Sequence, residues 1–310
     1  MNVPSRGSAT APPLPPFELA LRVGHRRGHT DDDYLAVGRR LHDAILAALP
    51  EGFSLEGKRA LDFGCGAGRT LRHFLDVAAR AEIWGCDIDR QSIAWLEANL
   101  CPPLRCFRNG TSPPLEVEDG YFDVVWAMSV FTHIDEGWAE WLLELHRVLA
   151  PDGVLVASFM GSVPFERLLA EPYVEDEVGM LVRNHWRRLE DGGAWVFHSR
   201  WWLHAHWGRA FEIQEVRPGA DGGGGRIAHS ILVARPRRSA PSAAALRRIE
   251  PAEARELAGL ETQVRMLRGE LAVAAGPGPR GDRARRALLD SPLGEPARRL
   301  RGWLARLRRR

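Results

Sequence analysis

The string LDFGCGAGR, Leu61 to Arg69, is the part of this sequence best equipped for chemistry. Gly64, Gly66 and Gly68 stand at every second position, and without a Cβ they permit backbone angles and close approaches that other residues block. Between a strand and a helix, such a turn sets the first N–H groups of the helix beside a ligand; it could equally be a tight connection and nothing more. Asp87 favours the ligand. It closes the next strand about twenty residues past the glycines, where a carboxylate can accept hydrogen bonds from ribose hydroxyls. Asp87 could instead cap the helix that follows, which for Asp89 is the better reading. Nucleotide-sugar recognition is indicated, and the spacing sorts the candidates. A dinucleotide turn wants G-x-G-x-x-G, whereas here Gly68 comes one residue early and Arg69 holds the expected third site.

Alternating strands and helices must position these residues. Order is expected from Thr30, which with Asp33 has the spacing of a capping box; Val37, Leu41, Ile45 and Leu49 then mark a helix that ends near Pro50. Apolar runs at Ala60 to Phe63, Ile83 to Cys86, Leu104 to Phe107, Phe122 to Met128 and Val154 to Phe159 predict five strands. Helices are predicted between them: from the glycine turn to about Ala79, through Ile93, Leu96 and Leu100, and through Trp138, Trp141, Leu142, Leu145 and Leu149. This alternation implies right-handed crossovers and a parallel sheet covered on both faces. After Met160 the period is lost for some forty residues. A helix near Arg200 to Arg209 then leads into Phe211 to Val216 and Ile227 to Ala234, a hairpin across the glycine run 222–225 that finishes the sheet. The expectation is an α/β fold: a doubly wound, mostly parallel seven-stranded sheet with a C-terminal helical extension.

LDFGCGAGR, the acidic GCDID, the strand FDVVWAMSVFTHI and the segment LLELHRVLAPDGVLVASF together resemble the class I S-adenosylmethionine-dependent methyltransferases, with the motifs in the right order over about a third of the chain. The resemblance implies a Rossmann-like methyltransferase fold with S-adenosylmethionine as cofactor. It further implies that Asp62 and the turn Gly64, Cys65, Gly66 and Gly68 face the methionine end, that Asp87 holds the ribose and that Ile88, Asn109 and Gly110 meet the adenine. Ser129 and Val130 would lie beside the reactive sulfonium. Two departures stand out: Asn109 replaces an acidic residue common near the adenine, and the fourth strand lacks the Asn/Asp-Pro-Pro-Tyr motif of enzymes that methylate adenine amino groups. More loosely, PPFELALRVG, FHSRWW and HWGRAFEI resemble methyltransferases that accompany glycosyltransferases in polysaccharide gene clusters. That similarity implies O-methylation of a saccharide or glycan precursor; a small-metabolite acceptor, or an interaction module that keeps the fold without catalysis, are the alternatives.

Methyl transfer from a sulfonium is an in-line displacement, so an acceptor hydroxyl must be held collinear with the methyl carbon and gains from a base. His133 follows the fourth strand, near the carboxyl edge where open α/β sheets bind ligands, and is the first candidate base; His198 is the second. Either could instead be packed or hydrogen-bonded structurally. Trp186, Trp195, Trp201, Trp202 and Trp207 could stack on sugars or simply pack a small cap. His198, His204 and His206 match no familiar metal-ligand spacing, so no metal is expected.

Composition limits the wider role. At 310 residues, with 45% hydrophobic and 26% charged residues, the chain suits one globular catalytic domain with appendages rather than a disordered or fibrous protein. It has neither an apolar run long enough to span a bilayer nor a signal-like start, and its four cysteines lack CxxC spacing, so a cytoplasmic location is expected. The domain expectation is a flexible or draped extension at 1–29, a methyltransferase domain at 30–236 with a cap or substrate region at 161–200, a linker and short coiled coil at 237–279, and a basic amphipathic tail at 280–310. Leu257, Leu260, Val264, Leu267 and Leu271 recur at intervals of 3 and 4, a heptad seam suited to self-association. The tail holds eleven arginines against three carboxylates, leaving the rest of the chain acidic on balance. It could sit at a membrane surface or on a partner, or remain solvated; nucleic acid is the weakest reading.

Overall fold

The sequence places β-branched and aromatic residues in short runs, and these runs form the strands: β1 (Arg59–Phe63), β2 (Glu82–Asp87), β3 (Arg105–Arg108), β4 (Phe122–Ala127), β5 (Leu149–Phe159), β6 (Met180–Arg183), β7 (Trp195–His198), β8 (Phe211–Arg217) and β9 (Ser230–Pro236). A computed structural model describes residues 12–184, 193–219, 228–250 and 252–275. Seven strands form one sheet in the order β3-β2-β1-β4-β5-β9-β8. The first five pair in parallel, while β9 runs antiparallel to both β5 and β8. The expected sheet is therefore present, with its last two strands closing as a hairpin. Strand order reverses between β1 and β4, and the carboxyl ends at such a reversal are the usual ligand position in sheets of this kind.

Helices cover both faces. α1 (Phe17–Arg22), α2 (Asp31–Ala48), α3 (Arg90–Asn99), α4 (Trp138–Val148), α5 (Ser162–Leu169), α6 (Arg200–His206), α7 (Ala243–Arg247) and α8 (Ala254–Ala275) follow in chain order. The Thr30–Asp33 capping box opens α2 as its sequence dictates: the Asp33 amide donates to Thr30 Oγ1 (3.2 Å) and the Thr30 amide to Asp33 Oδ2 (2.8 Å). On one face of the sheet Ile45, Leu71, Phe74, Ile83, Leu96 and Trp126 form a core; on the other Phe122, Phe131, Leu142, Leu145, Trp207 and Phe211 form a second. Each such side chain contributes on the order of 2 kcal/mol on leaving water.

Two expectations need correction. No α-helix follows the glycine turn; two 3-10 turns, Leu71–Phe74 and Val77–Ala79, take its place. In a 3-10 turn residues i and i+3 eclipse, which sends Leu71 and Phe74 into the same core, where Phe74 stacks on Trp126 at 4.6 Å. The stretch after Met160, expected to be irregular, contains α5 and the antiparallel pair β6–β7. Elements of four to eight residues are too short to display a period.

This small layer is the cap. It docks on the sheet through a parallel bridge between Met160 and Phe197 and through the Val196 amide, which donates to the Thr132 carbonyl at 2.9 Å. α8 covers its outer side. α1, within the region read as an N-terminal extension, lies on the body with Leu19 and Ala20 buried. Trp186, the glycine run 222–225, the linker at 276–281 and the basic tail lie outside the described residues.

Candidate active site

The glycine turn joins β1 to the first 3-10 turn and is stitched to the end of β2. The amides of Gly64 and Cys65 both donate to the Cys86 carbonyl, at 2.8 and 3.0 Å, and the Gly66 amide donates to Asp87 Oδ2 at 2.7 Å. Asp87 Oδ1 accepts the Asp89 amide at 2.8 Å. The turn's amides, expected from the sequence to face a ligand, are thus largely engaged within the chain. What the turn offers is shape. Gly66 sits at φ +52°, and a Cβ there would lie 2.4 Å from Val23 Cγ1; Gly64 sits at φ +82°, and a Cβ would lie 2.4 Å from Val130 Cγ2.

Those two valines pack directly on the turn, Val130 from the loop after β4 and Val23 from the segment after α1. That segment is tied down at both ends: Arg22 pairs with Asp89 at 2.6 Å, and Arg69 donates to the Val23 carbonyl. Sequence reasoning missed Arg22 and Val23 because their relation to the turn exists only once the chain has folded back on itself.

Asp62 is buried, and its Oδ2 has no hydrogen-bond partner. Burial pushes its pKa up to about 7. Burial raises Asp87 as well, while the amides of Asp89 and Gly66 act against the shift. Cys65 and Cys86 are buried thiols held well above the ordinary range by desolvation, so neither is a ready nucleophile. Beyond β3 the Asn109 amide donates to the Asp87 carbonyl at 3.2 Å, its side chain donates to Gly110 O at 2.8 Å, and its buried Oδ1 lacks a partner. Ile88 is half-buried beside them, its carbonyl accepting from Arg108 at 3.1 Å. At the opposite, amino edge of the sheet Arg147 binds Glu144 (2.5 Å), Asp119 (2.6 Å) and the carbonyls of Leu115 and Val117, fixing the chain between β3 and β4.

After β4 the backbone turns sharply at Ser129, a non-glycine residue at φ +61°. Its amide donates to Ser158 Oγ at 2.7 Å, and its hydroxyl lies 3.3 Å from Thr132 Oγ1. Ser158 is another residue the sequence did not single out; a lone hydroxyl in the apolar run of β5 was the available signal. His133 follows, its Nδ1 2.8 Å from the Ala194 carbonyl in the cap. A carbonyl only accepts, so Nδ1 carries the hydrogen and the neutral ring has its lone pair on Nε2. His198 sits elsewhere. It ends β7 and is fully buried, with Trp202 at 5.3 Å and Trp207 at 6.1 Å, both ring nitrogens unpartnered and the pKa pushed down to about 3 by desolvation. Trp201, Trp202 and Trp207 are likewise buried, as packing of a small cap requires.

The structure therefore brings Asp62, the glycine turn, Asp87, Ile88, Asn109, Gly110, Ser129, Val130 and His133 to the carboxyl edge of β1 to β4 and leaves His198 inside the protein. The edge fits S-adenosylmethionine on three counts. Asp62 has an unpaired acceptor that would suit the methionine ammonium, Asp87 is a carboxylate held in place whose remaining acceptor capacity would suit ribose hydroxyls, and Asn109 has an unpaired acceptor that would suit the adenine.

Comparison with known proteins points the same way. Residues 61–157 match a family described as a methyltransferase domain. No curated protein matches the sequence. Similar solved structures include a protein from Pyrococcus horikoshii OT3 (16% identity, covering 67% of this chain and 93% of that one, TM-score 0.49). A second is an S-adenosylmethionine-dependent methyltransferase from Mesorhizobium loti (19% identity, 62% and 96% covered, TM-score 0.46). The sheet order and its flanking helices are those of a Rossmann-like methyltransferase fold. The family match falls on the glycine turn, Asp87 and the Ser129–His133 loop, so residues 61–157 hold a methyltransferase domain, for which S-adenosylmethionine is the implied cofactor.

Proposed function

We propose that the chain methylates an oxygen of a saccharide or sugar-containing precursor, with His133 as general base. The observation that carries this reading is the bond from His133 Nδ1 to the Ala194 carbonyl, which ties the imidazole to the cap and fixes its tautomer. Bound S-adenosylmethionine supplies an electrophilic methyl carbon. The protein's part is to orient the acceptor and to take its proton, which Nε2 of His133 is suited to do; positioning of this kind is worth several kcal/mol, and a well-placed base adds roughly a hundred-fold or more. Ser129 and Thr132 add hydroxyl groups at the same edge. The saccharide as acceptor rests on the similarity of FHSRWW and HWGRAFEI to cluster-encoded methyltransferases.

Incubation with labelled S-adenosylmethionine and a panel of glycan and small hydroxylated acceptors, followed by mass analysis, tests the reading. Methyl transfer to a sugar hydroxyl supports it; transfer only to an amine or to a non-sugar metabolite overturns it. We further place the chain in the cytoplasm, on its four free cysteines. Contact with anionic lipid through residues 280–310 belongs to the same reading, since no helix among the described residues is long and apolar enough to cross a membrane.

A further inference from the structure

α8 uses two faces for two purposes. Toward the body it presents Glu256, Gly259, Gln263, Met266 and Glu270. Glu256 pairs with His206 at 2.9 Å, Gly259 lies on the Gly179 backbone, and Glu270 pairs with Arg183 at 2.9 Å. The Gln263 side chain accepts the Val182 amide (2.7 Å) and donates to the Val182 carbonyl (3.1 Å), closing the open edge of β6. The helix is thus held on the cap largely by directional polar bonds. Its leucines are elsewhere: Leu257, Leu260, Val264 and Leu271 are 46 to 62% exposed, and Leu267 is half-buried. Among the described residues these four make up nearly half of the large hydrophobic side chains left in water.

We infer that this seam pairs with the same seam of a second copy, forming a short antiparallel coiled coil; the inference is independent of the acceptor proposed above. The spacing of 3 and 4 is what a partner helix with the same repeat needs, because each seam residue then enters a hole between four residues of the facing helix. Charge decides the orientation. With Leu257, Val264 and Leu271 at the first heptad position and Leu260 and Leu267 at the fourth, Glu261 and Arg268 both occupy the fifth, flanking the seam. In an antiparallel pair centred between Val264 and Leu267, fifth positions face fifth positions, so Glu261 meets Arg268 of the second copy twice by symmetry. In a parallel pair Glu261 would instead face the seventh-position Glu256, whose carboxylate is buried against His206, so no opposite charge would meet it. Glu261 and Arg268 are both exposed, and neither forms an ion pair with a described residue.

The test is the mass of the full chain in solution by sedimentation equilibrium at micromolar concentration. Twice the chain mass is expected, falling to a single chain mass in Val264→Glu, whose far-ultraviolet dichroism should match the parent because Val264 lies on the exposed side of its helix. Glu261→Arg and Arg268→Glu should each weaken the dimer roughly five- to thirty-fold. Mixing those two variants should restore it as a heterodimer, since each then meets its opposite charge. A monomeric parent chain, whether its seam stays bare or another part of the chain covers it, overturns the inference. So does a dimer indifferent to Val264→Glu, and so does a mixture that shows no preference for the heterodimer.

Discussion

The Gly66 amide donates to Asp87 Oδ2 at 2.7 Å, across 21 residues of sequence. One carboxylate therefore shapes the glycine turn and, on the reading proposed above, also serves the ligand. Asp87→Ala should weaken S-adenosylmethionine binding by more than a hundred-fold and also cost about 1–3 kcal/mol of stability, because a partly buried amide loses its acceptor. Asp87→Asn keeps an oxygen for Gly66 and should recover most of the stability while binding stays weak. Calorimetric titration beside thermal unfolding separates the two effects; equal losses in both variants would mean that the carboxylate serves the fold alone.

Gly66→Ala meets two obstacles at once, a left-handed backbone angle and Val23 Cγ1 at 2.4 Å from the new Cβ. The expected cost is about 2–4 kcal/mol in denaturant unfolding. Adding Val23→Ala should return only the steric part. Full recovery in the double variant would show that the angle at Gly66 carries no strain.

Asp62 should make cofactor affinity depend on pH. Its folded pKa of about 7 lies above the unfolded value of 3.8, so the native state holds the proton more tightly. Stability from this group is complete below pH 3.8 and is lost as pH rises toward 7, on the order of 4 kcal/mol in all. Binding of a cationic ammonium has the opposite preference, since it needs the carboxylate. Affinity for S-adenosylmethionine should therefore increase as pH rises through 7 in the parent chain. In Asp62→Asn it should be low and flat, and that variant should unfold at a higher temperature than the parent at pH 8. Calorimetry and thermal melts at pH 6 and 8 check both signs.

The parts of this site that lie close together in sequence were legible there. Residues 59 to 87 announce a strand, a turn and a second strand through local pattern alone, and Asp87 falls at the end of the second strand. What local pattern cannot carry is the long-range approach of one segment to another. Val23 reaches Gly66 from 43 positions away, and Ala194 reaches His133 from 61. His198 illustrates the opposite error. Its neighbours in sequence gave no sign of depth, yet Trp202 and Trp207 from α6 and the turn after it enclose the ring, and desolvation keeps it neutral. The missing helix after the glycine turn has the same origin, because the demand that Leu71 and Phe74 share one core overrode a sequence of adequate helix propensity.

His133→Ala should lower kcat by about a hundred-fold or more toward a hydroxyl acceptor and leave cofactor affinity unchanged, because its side chain bonds to the cap rather than to the glycine turn. His133→Gln keeps a donor for Ala194 without a base and should be nearly as slow. If Gln restores activity, the residue holds the cap in place and the proton leaves by another route.

The His206–Glu256 contact fastens α8 to the body, with both side chains almost fully buried and His206 Nδ1 also 2.7 Å from the Leu246 carbonyl. Removing one partner strands the other away from water, so Glu256→Ala should cost about 3 kcal/mol or more. Replacing both, with His206→Phe and Glu256→Leu, leaves no polar group stranded and should recover much of that loss in urea unfolding. The paired replacement also separates anchoring from self-association. It leaves Leu257, Leu260, Val264 and Leu271 untouched, so a dimer that persists in the double variant but dissociates in Glu256→Ala would show that the seam works only while its helix is held down.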